Sequence, residues 1–388
     1  MPRKRSERSA QLSESRGIGI ANQLLALGDR PDLIKLNDGE FDVGAPPAAV
    51  AAAREALRVG HTRYDEVQGL RALRKLICEK LCQENGIAAK ADEILVTNGS
   101  SQAIVEVFLT LVDPGDEVLV PQPCWPTYLE GVKLCGGVPV PYPQSGLDLD
   151  CRSLEDAMTP RTRIVVLNTP HNPTGAVYSR EALRRAVEAA GSRGIYVLAD
   201  EAYERLVLDG HEHHSAAALA GPYQDLVITT QSFSKAFSMS GFRVGYVHAE
   251  RGLIDALATL HGHMSDNVCT FAQHGAVAAL QSRRTEVDAR RSILQGRMAL
   301  ATDRCRRLFP CVPPAGGLYL FPDVSAALRG PVTDAPAFCK LLLGETGVAV
   351  LPGEAFGVGG HVRISVAGSP VEAILEAFDR MAGLLNRL

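Results

Sequence analysis

The sequence predicts an α/β fold: a mostly parallel β-sheet flanked by helices, with a smaller α/β domain attached. Three observations carry this. Short apolar, β-branched runs recur at Ile94 to Thr97, Val118 to Val120, Val138 to Val140, Ile164 to Leu167, Ile195 to Ala199, Leu226 to Thr230 and Val244 to Val247, and each reads as a buried strand. Helical patterns separate them, and such alternation is what crossover helices between parallel strands require. After Leu253 the pattern turns helical for a long span, with Glu286 to Leu308 as a bridge to shorter strands at Leu318 to Phe321, Val348 to Val350 and Val362 to Ser365. The expected organisation is a large domain over residues 47–285 and a small domain over 286–388 joined by the N-terminal segment 16–46, with 1–15 as a disordered tail.

Bulk properties bound the function classes. At 388 residues, 46% hydrophobic and 22% charged, the chain is globular and long enough for about two domains. Forty basic residues against 44 acidic ones leave a formal charge of −4, so neither nucleic acid nor an anionic membrane is an implied partner. No apolar run is long enough to span a bilayer and no signal peptide is present. The basic opening Met1 to Arg8 lacks a following apolar segment; it reads as a solvated tail, with targeting or nucleic-acid contact as the alternative. Nine cysteines, scattered and odd in number, fit reduced thiols in a cytoplasm better than a disulfide framework. His211, His213 and His214 fall in an expected exposed loop, and no metal site is expected there.

Four segments carry chemistry, in chain order. Ile94 to Thr97 runs into Asn98-Gly99-Ser100-Ser101 and an apolar helix. Free amides and hydroxyls at a helix N-terminus form an anion site. Ile164 to Leu167 ends in Asn168-Thr169-Pro170-His171-Asn172-Pro173-Thr174-Gly175, whose prolines force a turn and put Asn172 on a loop at the strand's carboxyl end. Taken alone, Asn172 is a turn former. Ile195 to Ala199 ends abruptly in Asp200, with Tyr203 just beyond, and Asp200 by itself also reads as a helix N-cap. Last comes Ser232-Phe233-Ser234-Lys235, with Arg243 further on. A lysine among hydroxyls offers an amine for a Schiff base, and the arginine a fixed cation for a phosphate, which is what pyridoxal phosphate requires. A solvated lysine in a Ser-rich loop is the alternative.

Together and in this order, the segments resemble the fold-type I pyridoxal-phosphate-dependent enzymes, and among them the class I/II aminotransferases, from about Leu36 to the C-terminus. The resemblance implies a homodimer with shared active sites and, as substrates, an amino acid and a 2-oxo acid, with the large domain holding pyridoxal 5'-phosphate. It implies Lys235 as the Schiff-base lysine that moves the α-proton, and Asp200 as partner of the ring nitrogen. Asn172 and Tyr203 correspond to the pair at the ring's phenolic oxygen, and Trp125 to the aromatic stacked on the ring. Gly99, Ser100 and Ser101 on one side, and Ser232, Ser234 and Arg243 on the other, correspond to the phosphate site. Tyr64 corresponds to a tyrosine that reaches the neighbouring subunit's phosphate. Arg363 matches the arginine that binds the substrate carboxylate, and Gly39 the glycine approaching that carboxylate. Phe41 departs from the pattern, standing where a proline is common.

The expected activity is transfer of an amino group from an L-amino acid to a 2-oxo acid by a ping-pong mechanism. Elimination, cyclisation or oxidation on the same scaffold is the alternative, because those reactions start from the same carbanion. A second cation for a dicarboxylate substrate is placed only by neighbourhood, at Arg63 or Lys133. His261, His263, Asp266 and Asn267 fall where substrate-near or interface residues are common, and read equally as helix-end polar groups.

Overall fold

The computed structural model describes residues 6, 10–12, 32–144, 146–208 and 210–388, leaving aside the side chains of 283 and 284. Most of the expected tail 1–15, and residues 16–31 of the expected N-terminal segment, lie outside the described residues. Twelve strands follow in chain order among those described: β1 Ile34–Lys35, β2 Ile94–Thr97, β3 Glu117–Gln122, β4 Val138–Pro143, β5 Thr162–Asn168, β6 Tyr196–Asp200, β7 Val227–Ser232, β8 Gly245–His248, β9 Tyr319–Leu320, β10 Val348–Ala349, β11 Leu351–Pro352 and β12 Val362–Ser365.

Seven of them form one sheet in the order β2-β8-β7-β6-β5-β3-β4. β8 runs antiparallel to both its neighbours, and every other pairing in this sheet is parallel. The continuous apolar runs have a simple cause. Successive side chains point to opposite faces, and helices cover both faces: Ile164, Val166 and Leu198 enter one hydrophobic core, while Val165, Leu167, Val197 and Ala199 enter the other. A strand with one wet face would alternate with polar residues instead. The helix Arg180–Gly191 shows the local logic of the crossovers. Ser179 caps it by accepting the Ala182 N–H, and Leu183, Ala186, Val187 and Ala190 recur on its buried face.

The long helix Arg283–Leu308 leads to the second group of strands. There β12 lies between β11 and β9, antiparallel to both, and β1 pairs in parallel with β10. Residues 34 and 35 therefore return to the C-terminal part of the chain. Two side chains of the long helix hold the following stretch: Arg297 grips the Asp42 carboxylate through both terminal nitrogens at 2.9 and 2.7 Å, and Arg290 donates to the Gly44 carbonyl at 2.9 Å. Gly39 is fixed next to the large sheet in consequence.

Candidate active site

Side chains at the carboxyl ends of β5, β6 and β7 converge with the turn after β2, as open α/β sheets dictate. Asn168 and Asp200 are register neighbours on β5 and β6. The Asn168 side chain donates to the Asp200 carbonyl at 3.0 Å and accepts the Asn172 N–H at 3.0 Å, so one amide ties the loop carrying Asn172 to the end of β6.

Asp200 is the last residue of β6 and a turn follows it, so it does not cap a helix. Its Oδ2 accepts the Tyr128 hydroxyl at 2.6 Å and its Oδ1 the Ala202 N–H at 3.1 Å. Burial pushes its pKa up to about 6, against the pull of these two bonds. A buried carboxylate held by neutral donors is a site that favours a cation.

Lys235 lies in the turn after β7, and its Nζ donates to the Gly39 carbonyl at 2.9 Å. Only glycine fits at 39, because a Cβ there would stand 2.0 Å from the Tyr319 hydroxyl. That hydroxyl is 2.9 Å from the Tyr203 hydroxyl. Burial, followed by the neighbouring Tyr319, drives the Tyr203 pKa well above the ordinary phenol value.

Arg363 is buried on β12 (3% exposed), deeper than a half-buried strand. Its guanidinium carbon lies 4.0 Å from the centre of the Tyr319 ring and 4.8 Å from that of Phe356. Nη1 donates to Asn172 Oδ1 at 3.1 Å and Nη2 to the Asn37 carbonyl at 2.8 Å, while Nε has no hydrogen-bond partner among the described residues. None of these partners is a carboxylate. A buried guanidinium that is stacked, oriented and short of an anion is ready for a ligand's carboxylate.

On the opposite side, Ser100 and Ser101 open the helix Ser100–Leu111 after Gly99, which has φ +79° and provides no cap. The helix amides there are available to an anion. Arg243 takes a left-handed φ of +57°, and its guanidinium donates to the carbonyls of Ser240 (2.8 Å) and Asn98 (3.1 Å). A Cβ on Gly99 would meet Arg243 Nη2 at 2.5 Å, so glycine is what lets the arginine reach the cup.

Of the residues singled out from sequence, Gly39, Ser100, Ser101, Trp125, Asn172 and Asp200 line one cavity together with Tyr203, Ser232, Ser234, Lys235, Arg243 and Arg363. Gly99 adjoins it through Arg243. Tyr64 does not line it: the side chain is 84% exposed and, with His61, Thr62 and Arg63, faces Asn267 to Phe271 across a surface groove.

Neither Arg63 nor Lys133 lines the cavity, and Lys133 pairs with Glu130 at 2.9 Å. His261, His263, Asp266 and Asn267 are absent from its walls as well. His261 is fully buried between helices with Nδ1 2.9 Å from Glu106, and Asn267 accepts the Asp65 N–H at 3.1 Å. His213 departs from the expected exposed loop, turning inward to within 3.5 Å of Glu201. Glu201, Glu204 and His213 could gather ligand atoms within 4.8 Å of one another, but the buried Lys80 ammonium already binds Glu204, Gln231 and Asn85 there.

Sequence reasoning missed Tyr128 and Tyr319 as cavity residues. Tyr128 had a signal: it stands three residues after Trp125, the spacing that puts two side chains on one helix face. Tyr319 had none, since its role depends on β9 pairing with β12 at Ser365.

The residues present fit pyridoxal phosphate: an amine, an anion cup built on a helix N-terminus, and a buried carboxylate that lacks a cation. Comparison with known proteins agrees. A family profile described as "Aminotransferase class I and II" matches residues 31–381. The probable aspartate/prephenate aminotransferase of Aquifex aeolicus is 36% identical over 378 residues, covering 95% of this chain and 94% of that protein. The aspartate aminotransferase of Geobacillus stearothermophilus is 35% identical over 97% of this chain and 98% of its own. The solved Thermus thermophilus aspartate aminotransferase with maleate superposes with a TM-score of 0.93 at 34% identity, over 98% of this chain and 100% of that one.

Proposed function

The chain belongs to the class I and class II aminotransferase family, and from that premise we propose that the cavity between the two groups of strands is its active site, with Lys235 as the reacting amine. The enzyme is a pyridoxal-phosphate-dependent aminotransferase of fold type I. The observation that carries the site reading is the convergence of Lys235, Asp200 and Arg363 on one cavity from distant parts of the chain.

When bound, pyridoxal phosphate supplies an aldehyde for an amine and an electron-poor ring that takes up charge from the substrate's Cα. The chain's residues do the rest. Arg363, with its plane fixed by Tyr319 and Phe356, holds the α-carboxylate of an amino acid and orients its Cα–H bond toward Lys235. Lys235 would bind the cofactor's aldehyde through Nζ and, once an amino acid has taken its place, would hold and move the α-proton on that same atom. Asp200 would pair with the ring nitrogen and keep it protonated, Asn172 and Tyr203 would hydrogen-bond the phenolic oxygen, and Trp125 would stack on the ring. Ser100, Ser101, Ser232, Ser234 and Arg243 hold the phosphate beside Gly99, and Gly39 lets the substrate carboxylate approach. Water would release the 2-oxo acid while the amino group stays on the enzyme, and a second 2-oxo acid would take up that amino group with loss of water, which is ping-pong kinetics.

The exposed Tyr64 supports a homodimer in which that side chain completes a second copy's phosphate site. Residues 47–285 and 286–388, the latter with 16–46, are taken as its large and small domains. Among the described residues no helix is long and apolar enough to cross a membrane. Nine cysteines, scattered and odd in number, support a reducing compartment such as the cytoplasm.

An amino-donor screen with 2-oxoglutarate and pyruvate as acceptors tests the reading, with aspartate as the first donor and both oxo acid and ammonia quantified. Oxo acid formed in step with the new amino acid is expected. Ammonia released in its place would assign elimination or oxidation.

A further inference from the structure

The geometry points to Tyr128 as a positioning residue of the aminotransferase reaction, whose hydroxyl holds the Asp200 carboxylate ionised and oriented toward the ring nitrogen. This rests on the proposed pairing of Asp200 with that nitrogen.

Three observations carry it. Trp125 is the N-cap of the helix Pro126–Leu134, and Tyr128 follows three residues on, so one helix start sends both side chains to the cavity. Tyr128 is completely buried, and its O–H donates to Asp200 Oδ2 at 2.6 Å, within the range of a charge-assisted bond. Among the described residues this is the only side-chain hydrogen bond the Asp200 carboxylate accepts, the other bond coming from the Ala202 backbone.

The surroundings leave the phenol alone in this role. Glu201, next along the chain, turns away to Ser215, the Ala216 N–H and Gln231. The Lys235 ammonium is spent on the Gly39 carbonyl. Burial, and then the Asp200 charge, raise the Tyr128 pKa well above the ordinary phenol value, so the group stays a donor across the working pH range. Cys124 and Tyr203, the other titratable neighbours, are neutral for the same reason, since burial raises both.

The consequence is a division of labour on one carboxylate. Asp200 and a ring nitrogen share one proton, and the proton sits on nitrogen only while the carboxylate is the weaker base. A hydrogen bond to the ionised form weakens that base. Without Tyr128, burial alone would draw the proton back to oxygen and leave the ring a poorer acceptor of electrons.

The test is Tyr128→Phe, which removes the hydroxyl and keeps the ring. With pyridoxal phosphate labelled with ¹⁵N at the ring nitrogen, the bound resonance should move toward the unprotonated position. The cofactor dissociation constant should rise about ten-fold, the scale of a bond to a charged group. kcat should fall by about the same factor with KM within about two-fold. In an Asp200→Asn background the same change should cost nothing further, because a residue acting through Asp200 has nothing left to act on. A resonance that stays in place while the melting temperature drops would show Tyr128 to be ordinary packing and overturn the inference. If Tyr128→Phe does not fold, a ring-fluorinated tyrosine at 128 keeps the shape and strengthens the donor; the resonance must then move further toward the protonated position, and no movement also overturns it. A parent protein that takes up no pyridoxal phosphate would defeat the proposed function instead, leaving the two failures distinguishable.

Discussion

Arg363 and Asp200 are both buried charges for which no ion pair occurs among the described residues, and at the residue scale this supports the roles proposed for them. Arg363 has its ring-stacked plane, two fixed bonds and, among the described residues, no partner for its Nε–H. Arg363→Lys keeps the charge and loses the fork. We expect kcat/KM to fall on the order of 10²-fold for every amino-acid donor and hardly at all for the corresponding amines. A lower melting temperature with that ratio unchanged would make Arg363 a structural residue. Asp200→Asn should lower kcat on the order of 10²-fold or more while the fold persists, and activity within a few-fold of the parent would remove it from the site. The raised Asp200 pKa also has a linkage consequence. With a folded value of about 6 against an ordinary 3.8, the folded state binds this proton more tightly than the unfolded chain. That contribution is complete below the unfolded value and lost as pH rises through the folded one. Above pH 6 the cofactor-free protein carries an uncompensated buried carboxylate, which a protonated ring nitrogen relieves. Pyridoxal phosphate should therefore raise the melting temperature more at pH 7.5 than at pH 5, and Asp200→Asn should abolish the difference. An equal rise at both pH values in the parent would contradict this assignment of charge.

At the scale of elements, the proposed phosphate cup depends on a helix start and a glycine. Gly99→Ala combines a left-handed φ with a Cβ 2.5 Å from Arg243 Nη2, so Arg243 must leave the cup. Cofactor affinity should fall at least ten-fold with little change in the α-proton chemistry once the cofactor is saturating; unchanged affinity would place the phosphate elsewhere. This is also the scale at which the sequence was most legible. Strands β2, β5, β6 and β7 of the large sheet are buried on both faces, so they show as apolar runs bounded by turn residues, and the candidate site lies where those runs stop: Thr97 before the Gly-Ser-Ser turn, Asn168, Asp200 and Ser232. The smaller strands were less legible. Val348 to Val350, one run in the sequence, is a strand only at Val348 and Ala349, which form β10 and pair with β1; the strand breaks at Val350, and β11, which pairs with β12, starts at Leu351. That division is decided by pairing partners, and the partner of β10 lies near the start of the chain. Tyr319 was hidden for the same reason, whereas Tyr128 shared a helix face with Trp125. His213 was misjudged because a polar residue in a loop looks solvated until a buried glutamate faces it.

At the scale of the whole molecule, the account requires two chains. Tyr64 stands exposed, beside a groove separate from the cavity, so a role at the phosphate needs a second copy. Mixing inactive Lys235→Ala with inactive Tyr64→Ala should restore activity, since one site of the mixed dimer would keep both groups. No recovery where subunit exchange is demonstrated would place Tyr64 outside the reaction.

The central claim is that Lys235 is the amine that binds the cofactor. Borohydride reduction of the protein loaded with pyridoxal phosphate, followed by peptide mapping, tests it most directly. The account predicts one stable pyridoxyl label per chain on the peptide containing Lys235, and none on that peptide in Lys235→Ala. A label on another lysine, or none in the parent, would contradict it.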